Sequence, residues 1–218
     1  MPLPELTISS LCREAGVFAK AESDHWEPAL HGVTDGKAVG TYFEQKFRGY
    51  LVARYDFEIG NSASGIDFPG LKVDMKVTSI KQPQSSCPYK SARQKISGLG
   101  YSLLVFVYDK VDDKDKASGK LVIVHTIFVS EALTADFQTT LGLRNILTNK
   151  GNVEDLMSFM FDRHLPLDEI EAKEIAEEIL KNGLQQGYLT ISNALQWRLQ
   201  YGRAVESAGS VEGIMRIR

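Results

Sequence analysis

The chain has 218 residues, 43% of them hydrophobic and 24% charged, with a formal net charge of −3 at pH 7. This is the makeup of an ordinary globular protein with room for a sizeable core, and it excludes wholesale disorder. The slightly acidic balance argues against indiscriminate binding to polyanions but leaves room for a local basic patch. No stretch approaches the roughly 20 apolar residues of a membrane span, and Met1-Pro2-Leu3-Pro4-Glu5 lacks the basic and apolar segments of a signal peptide. Cys12 and Cys87 match no metal-ligand spacing and suit a reducing, cytoplasmic setting. His25, His31, His125 and His164 are scattered and read as structural or surface residues.

Residues 5–22 set Leu6, Ile8, Leu11, Val17 and Phe18 among polar residues, predicting a short helix capped by Ser9 or Ser10. A turn at 32–36 leads into a helix over 37–50, with Val39, Tyr42, Phe43, Lys46 and Phe47 at 3- and 4-residue spacing. Glu44 falls beside that stripe. It is either a surface residue paired with Arg48 at i+4 or a carboxylate that orients a metal-bound water from a helix under the sheet. Residues 51–59 read as a strand, and 60–65 as a loop of small residues.

The stretch 64–78 organises the chain. Leu71, Val73, Met75 and Val77 alternate with Lys72, Asp74, Lys76 and Thr78, the period of a strand with one apolar and one polar face. Asp74 and Lys76 therefore project together, and Asp67 lies just before the Pro69-Gly70 turn. Two carboxylates and a lysine at a strand end make a site for a divalent cation beside a positive donor, a pairing suited to phosphodiester hydrolysis. An acid two before a lysine is a cheap pattern. It recurs at Asp35/Lys37, Glu44/Lys46, Asp112/Lys114 and Glu171/Lys173, where it reads as a solvated ion pair. Only the Asp74 copy sits in an alternating strand, behind a second acid and ahead of a basic loop. A tight Phe68-Pro69-Gly70 hairpin pairs Asp67 near Leu71 and leaves Asp74 roughly 10 Å further along. A shared cation then requires a twist, a bulge or a wider loop.

From Leu71 to Lys95 the positive residues Lys72, Lys76, Lys81, Lys90, Arg93 and Lys95 stand against the single negative Asp74, with Gln82, Gln84 and Gln94 among them. Such a loop suits phosphate contacts and hydrogen bonds to base edges, or is simply solvated. A short helix is predicted over 91–97, ending at Gly98 or Gly100. Residues 101–108 form a near-continuous apolar run, as in a strand buried on both faces; 109–119 is a charged turn and 121–129 another strand. The order of elements indicates a mixed α/β core. Beyond residue 130 the chain turns mostly helical, with helices over 152–161 and 168–181. The second carries an acidic outer face that should point away from DNA. Residues 190–206 combine Arg198 and Arg203 with Trp197 and Tyr201, reading as a helix that enters a groove or packs its aromatics on the core. Residues 213–218 suit a last edge strand.

These motifs resemble the PD-(D/E)XK nuclease superfamily, and within it the group containing the mismatch-repair nicking endonuclease MutH and related restriction enzymes. The shared features are Asp67-Phe68, the six-residue gap to Asp74-Met75-Lys76 and, one residue late, Thr78. Upstream, Lys37-Ala38-Val39-Gly40-Thr41-Tyr42-Phe43-Glu44 is similar to that group's Lys-x-x-Gly-x-x-x-Glu-like pattern. The triplet's acid is Asp where Glu is commoner, and Pro69 occupies the turn. The likeness covers residues 37–108 and nothing after 130. It implies an α/β fold: a mixed-sheet, restriction-endonuclease-like core flanked by helices over 1–130, with a mainly helical C-terminal portion over 131–218 packed on it for DNA recognition or dimerisation.

The activity implied is Mg2+-dependent hydrolysis of DNA phosphodiesters. Asp67, Asp74 and the Met75 carbonyl hold the metal, Lys76 assists the nucleophile and Glu44 is an auxiliary. The DNA-contacting candidates are Lys81, Gln82, Gln84, Lys90, Arg93, Gln94, Arg198 and Arg203. A type II restriction endonuclease is the favoured reading, acting on double-stranded DNA as a homodimer alongside a cognate DNA methyltransferase. Trp197 and Tyr201 are the candidates for burial between subunits. The alternatives are a MutH-like strand-nicking repair enzyme and a non-catalytic DNA- or protein-binding module on a nuclease fold.

Overall fold

The structure is a computed structural model that describes residues 2–60, 65–86, 89–192 and 198–218. Ser64, Cys87 and Trp197 lie outside the described residues. Two long helices open the fold. Helix α1 (Ile8–Asp24) is capped not by Ser9 or Ser10 but by Thr7, whose hydroxyl accepts from the Ser10 N–H while the Ser10 hydroxyl reciprocates on the Thr7 N–H. This is a capping box with serine in the role of the usual acid. Helix α2 (Gly36–Val52) starts at Asp35, whose carboxylate accepts from the Lys37 N–H.

The strand expected over 51–59 does not form. Leu51 extends the buried row Val39, Phe43, Phe47 at four-residue spacing and is itself wholly buried, so the helix continues to Val52. Beyond it, Asp56 makes only an isolated bridge with Glu5. Two carboxylates bind α1 to α2. Glu22, 3% exposed, ion-pairs with Lys46 at 2.8 Å and accepts from the Tyr42 hydroxyl at 2.9 Å. Glu14 accepts from Tyr50 at 2.7 Å and Tyr55 at 2.9 Å, which holds its pKa below the ordinary value.

The main sheet runs β1 (Val73–Ser79), β3 (Ser102–Asp113), β4 (Ser118–Val129), β7 (Ile214–Arg216). Strands β1 and β3 are parallel, with Met75 beside Leu104; the other neighbours are antiparallel, so the sheet is mixed. Strand β3 is buried on both faces. Leu104 and Phe106 pack with Phe18, Phe43, Phe47 and Met75 under α1 and α2. Leu103, Val105 and Val107 pack on the opposite side with Ile127, Leu199 and Tyr201. The charged turn between β3 and β4 is narrower than expected, only residues 114–117. Both strands continue as a ribbon, and Asp113 closes it by accepting from the N–H groups of Asp115 and Lys116.

A second sheet, ordered β2 (Gln84–Ser86), β6 (Arg198–Gln200), β5 (Thr190–Ile191), overturns the helix expected over 190–206. Ile191, Leu199 and Tyr201 are buried while Gln200 between the last two is exposed, a period of two that a helix cannot satisfy. Among the described residues there, only α7 (Gly202–Ser207) is helical. Tyr201 is 0% exposed within the subunit and shares a hydrogen bond with the Ser85 hydroxyl at 2.7 Å, so it is not available for a subunit contact.

A helical layer of α4 (Phe137–Thr148), α5 (Val153–Asp162) and α6 (Glu169–Asn182), with the short α3 (Ala92–Ser97), has its own apolar core around Ile96, Leu143, Met160 and Ile175. Buried Asp136 joins this layer to the second sheet. One carboxylate oxygen caps α4 at Thr139 and the other accepts from the Ile191 N–H. No helix among the described residues is long and apolar enough to cross a membrane.

The aromatic packing gives a direct test. Phe43 is wholly buried, 5.3 Å from Phe18 and 4.8 Å from Phe106 between ring centroids. In urea melts Phe43→Ala is expected to cost about 3–5 kcal/mol. Ile170→Ala, at a side chain 72% exposed, is expected to stay within about 0.5 kcal/mol.

Candidate active site

The two aspartates meet because the connection between them is wider than a tight hairpin. Pro69–Leu71 forms a 3-10 turn and Lys72 takes a left-handed conformation at φ 52°. The Phe68 N–H then donates to the Val73 carbonyl at 2.9 Å and the Val73 N–H to that of Phe68 at 3.2 Å. With 68 opposite 73, residue 67 falls opposite 74. It is a non-hydrogen-bonded antiparallel position, where facing residues lie closest, about 4.5 Å between Cα atoms. The roughly 10 Å separation implied by a tight turn therefore does not arise. Phe68, 1% exposed, anchors the near strand in the core. Gly60 lets the preceding loop close against it: its N–H donates to the Asp67 carbonyl at 3.0 Å, and a Cβ there would lie 1.9 Å from the Ile66 oxygen.

The Asp67 carboxylate is held at both oxygens. Oδ1 accepts from an Arg48 guanidinium nitrogen and Oδ2 from the Met75 N–H, each at 2.9 Å. The second bond also satisfies a backbone donor on the outer side of an edge strand. Arg48, expected to pair with Glu44 one turn earlier, is thus an ion-pair partner of Asp67 instead. Met75 contributes backbone only, its side chain being 1% exposed in the core.

Asp74 is 3% exposed and lies 2.7 Å from the Lys76 amine, its neighbour on the same strand face. That contact has the distance of an ion pair but not the direction of a hydrogen bond, and the buried Oδ2 has no hydrogen-bond partner among the described residues. Burial pushes the Asp74 pKa up to about 7; the Lys76 charge opposes this and the Asp67 carboxylate adds to it. Glu44 is also raised, by burial first and Asp67 second, against Lys76 and Arg48. Asp67 and Lys76 thus act on both Asp74 and Glu44, which draws the four expected residues into one cluster, with Arg48 as a fifth member.

A cleft of about 700 Å³ opens from Glu44 and Lys76 along α2 and β1 toward β2 and β6. Among the expected DNA-contacting residues, Gln82, Gln84 and Arg198 line it. The others lie elsewhere. Lys81 and Lys90 are exposed off the cleft, and Gln94 turns back to accept from the Lys90 N–H at 2.7 Å. Arg93 ion-pairs with Glu178 on the acidic face of α6. The Arg203 guanidinium stacks 3.7 Å from the Phe137 ring centroid. Lys37, Thr41 and Ser86 also line the cleft without having been singled out as contacts, although Lys37 opens the motif that ends at Glu44. Thr78, 5% exposed, fixes the far wall: its hydroxyl accepts from the Gln84 N–H and donates to the Gln84 carbonyl, both at 3.0 Å.

The raised carboxyls have a sign that can be checked. A folded-state pKa above the unfolded value means that the native protein keeps protons the unfolded chain has released. Stability then falls as pH rises through the window between the two values, about 4 to 7 for Asp74. In chelator, the melting temperature of Asp74→Asn is expected to decline less over this window than that of the parent chain. Parallel curves would show that Asp74 is not desolvated.

The model of the family described as type II restriction enzyme NspV matches residues 5–216. The chain is 66% identical over 212 residues to the type II restriction enzyme NspV of Nostoc sp. (strain ATCC 29411 / PCC 7524), an alignment that spans 97% of this chain and 96% of that protein. No solved structure gives a significant match. The matched span takes in the aspartate hairpin, both sheets and the helical layer, and the chain belongs to the NspV family of type II restriction enzymes.

Proposed function

We propose that the chain cuts DNA with a divalent cation, Mg2+, held at the Asp67–Asp74 pair, and that Lys76 and Glu44 serve the attacking water. That it is a sequence-specific DNA endonuclease of the type II restriction class follows from its family; the strand-nicking repair and non-catalytic alternatives lose ground accordingly. The observation that carries the metal reading is the buried Asp74 carboxylate directly across from a second carboxylate, its Oδ2 met by the Lys76 amine at 2.7 Å without the geometry of a hydrogen bond. A desolvated anion facing another is unfavourable unless a cation offsets both. The donor set is oxygen only, as a hard divalent ion prefers. Among the described residues no three His, Cys, Asp or Glu side chains form a ligand cage. Two carboxylates and the Met75 carbonyl fit an ion that keeps several waters for itself and the phosphate. The hairpin feeding an edge strand, with Glu44 on the helix beneath, also supports placement in the PD-(D/E)XK superfamily near the MutH-like group.

When bound, the cation supplies an activated water and stabilises the leaving oxygen. The chain supplies the positioning. Arg48 and the Met75 N–H fix the Asp67 carboxylate so that it cannot rotate away. Lys76 is partly exposed toward the cleft, where its amine orients the nucleophile or offsets charge on the phosphate. Glu44 keeps a higher proton affinity than a surface carboxylate, which suits proton transfer with water at the same edge. The working enzyme is a cytoplasmic homodimer, since one active site per chain and two strands to cut favour a two-fold axis on a symmetric site. A methyltransferase of matching specificity protects the host's own copies of that site.

Asp74→Asn is expected to abolish Mg2+-dependent plasmid cleavage while leaving DNA binding measurable, and full activity would end the assignment. Lys76→Ala is expected to lose cleavage by orders of magnitude yet fold, because Asp74 can take up a proton once its partner is gone. Activity that merely tracks the folded fraction would make Lys76 a structural residue.

Supercoiled plasmid carrying one site is expected to become linear, with the protein sedimenting as a dimer on DNA. Persistent nicked circles from a monomer would contradict the dimer.

A further inference from the structure

We infer that the outward face of the β2–β6 pair reads base edges in the major groove of the substrate, with Gln84, Arg198 and Gln200 as specificity-determining residues. This rests on the reading of the cleft as the place where DNA is cut. It adds which element distinguishes one sequence from another.

The pair has two unlike faces. Register places Gln84 opposite Gln200, Ser85 opposite Leu199 and Ser86 opposite Arg198. The middle row points inward: Leu199 is 0% exposed in the core, and the Ser85 hydroxyl is bonded to Tyr201. The flanking rows point outward and consist wholly of hydrogen-bonding side chains, continued by Thr190, which pairs with Gln200 from β5. Any exposed sheet face is polar, so polarity alone decides nothing. Three further observations do.

First, Gln84, Ser86 and Arg198 of this face line the cleft that also contains Glu44 and Lys76, together with Ser85 of the middle row, while Gln200 continues the face beyond it. Second, its chemistry suits bases better than phosphates. Amides offer a donor and an acceptor side by side, and the face carries one cation among four neutral groups. Lysines, the usual point charges for phosphate, occupy the opposite side of the same cleft as Lys37 and Lys76. In the major groove Arg pairs bidentately with guanine O6 and N7, and Gln with adenine N6 and N7.

Third, the face is held rigidly. Thr78 grips Gln84 through both its backbone groups. The Tyr201 N–H donates to the Pro83 carbonyl at 2.9 Å, and Ser192 and Arg198 exchange bonds at 3.0 Å. Asp136 secures Ile191 at 3.0 Å. A reading surface has to be preorganised in this way if it is to discriminate between bases.

The test compares binding to a short duplex carrying the cognate site, mapped from the ends of digestion products, with binding to the same duplex altered at one base pair. Ca2+ replaces Mg2+, and fluorescence anisotropy is read over a salt series. Gln84→Ala, Gln200→Ala and Arg198→Ala are each expected to lower the cognate-to-altered affinity ratio about tenfold to a hundredfold, with binding to the altered duplex and the salt slope unchanged. Arg198→Lys is expected to behave like Arg198→Ala, because the charge is kept and the bidentate fork is lost.

Equal weakening on both duplexes, a salt slope reduced by about one and rescue by Arg198→Lys would make these phosphate contacts and overturn the proposal. So would ratios unchanged in all four variants, or a loss that appears only as a failure to dimerise in sedimentation. Failure of the catalytic reading looks different: Asp74→Asn would still cleave, whatever the binding ratios.

Discussion

The Phe68–Val73 pairing is the contact on which the site depends. Two backbone hydrogen bonds set a register, and that register places two acidic side chains across from each other although they are far apart in a tight-turn reading of the same residues. Everything chemical then follows from desolvation. A carboxylate removed from water needs compensation, and Asp74 has only one flexible amine, while Asp67 has two directed donors. The asymmetry is informative: one aspartate is fixed by two directed hydrogen bonds, and the other is balanced by an ion pair that lacks hydrogen-bond geometry.

The main sheet separates two jobs. Helices α1 and α2 pack on one face and fix the catalytic edge from below, while the small sheet packs on the other and forms the far wall of the cleft. Because β3 is buried on both faces, movement of either layer would disturb a close-packed interior, so the two sides of the cleft are held in a set relation. Strand β1 belongs to both. One of its faces packs Met75 into the aromatic core, and the other carries Asp74, Lys76 and Thr78.

What could be read from the sequence followed the strength of local periodicity. Helix α2, strand β1 and helix α6 carry a clear period, strands β3 and β4 are apolar runs bounded by turn residues, and all five were legible, as was the clustering of Glu44, Asp67, Asp74 and Lys76. Short elements were not. Strands β5 and β6 are two and three residues long, too short for alternation to outweigh the helix-like mixture around them, and they exist because Leu199 and Ile191 find a core to enter. The fate of Arg48 was hidden because i+4 spacing points to Glu44, whereas its partner Asp67 lies 19 residues later, placed by the turn that follows it. Arg93 and Arg203 read as DNA-contact candidates from the polar and aromatic residues around them, and local sequence cannot say that Glu178 and Phe137 lie within their reach.

Thr78 has a consequence for where the DNA is cut. It stands four residues after Asp74 on one continuous strand, about 13 Å along it, and it grips the first residue of the proposed reading strand. The offset between the bases recognised and the bond broken would then be a covalent length, built into the backbone rather than set by a hinge between separate modules. Such a ruler does not stretch. A residue inserted in the turn between Ser79 and Gln84 would bulge outward and leave the spacing alone, because Thr78 would still hold Gln84 by the same two bonds.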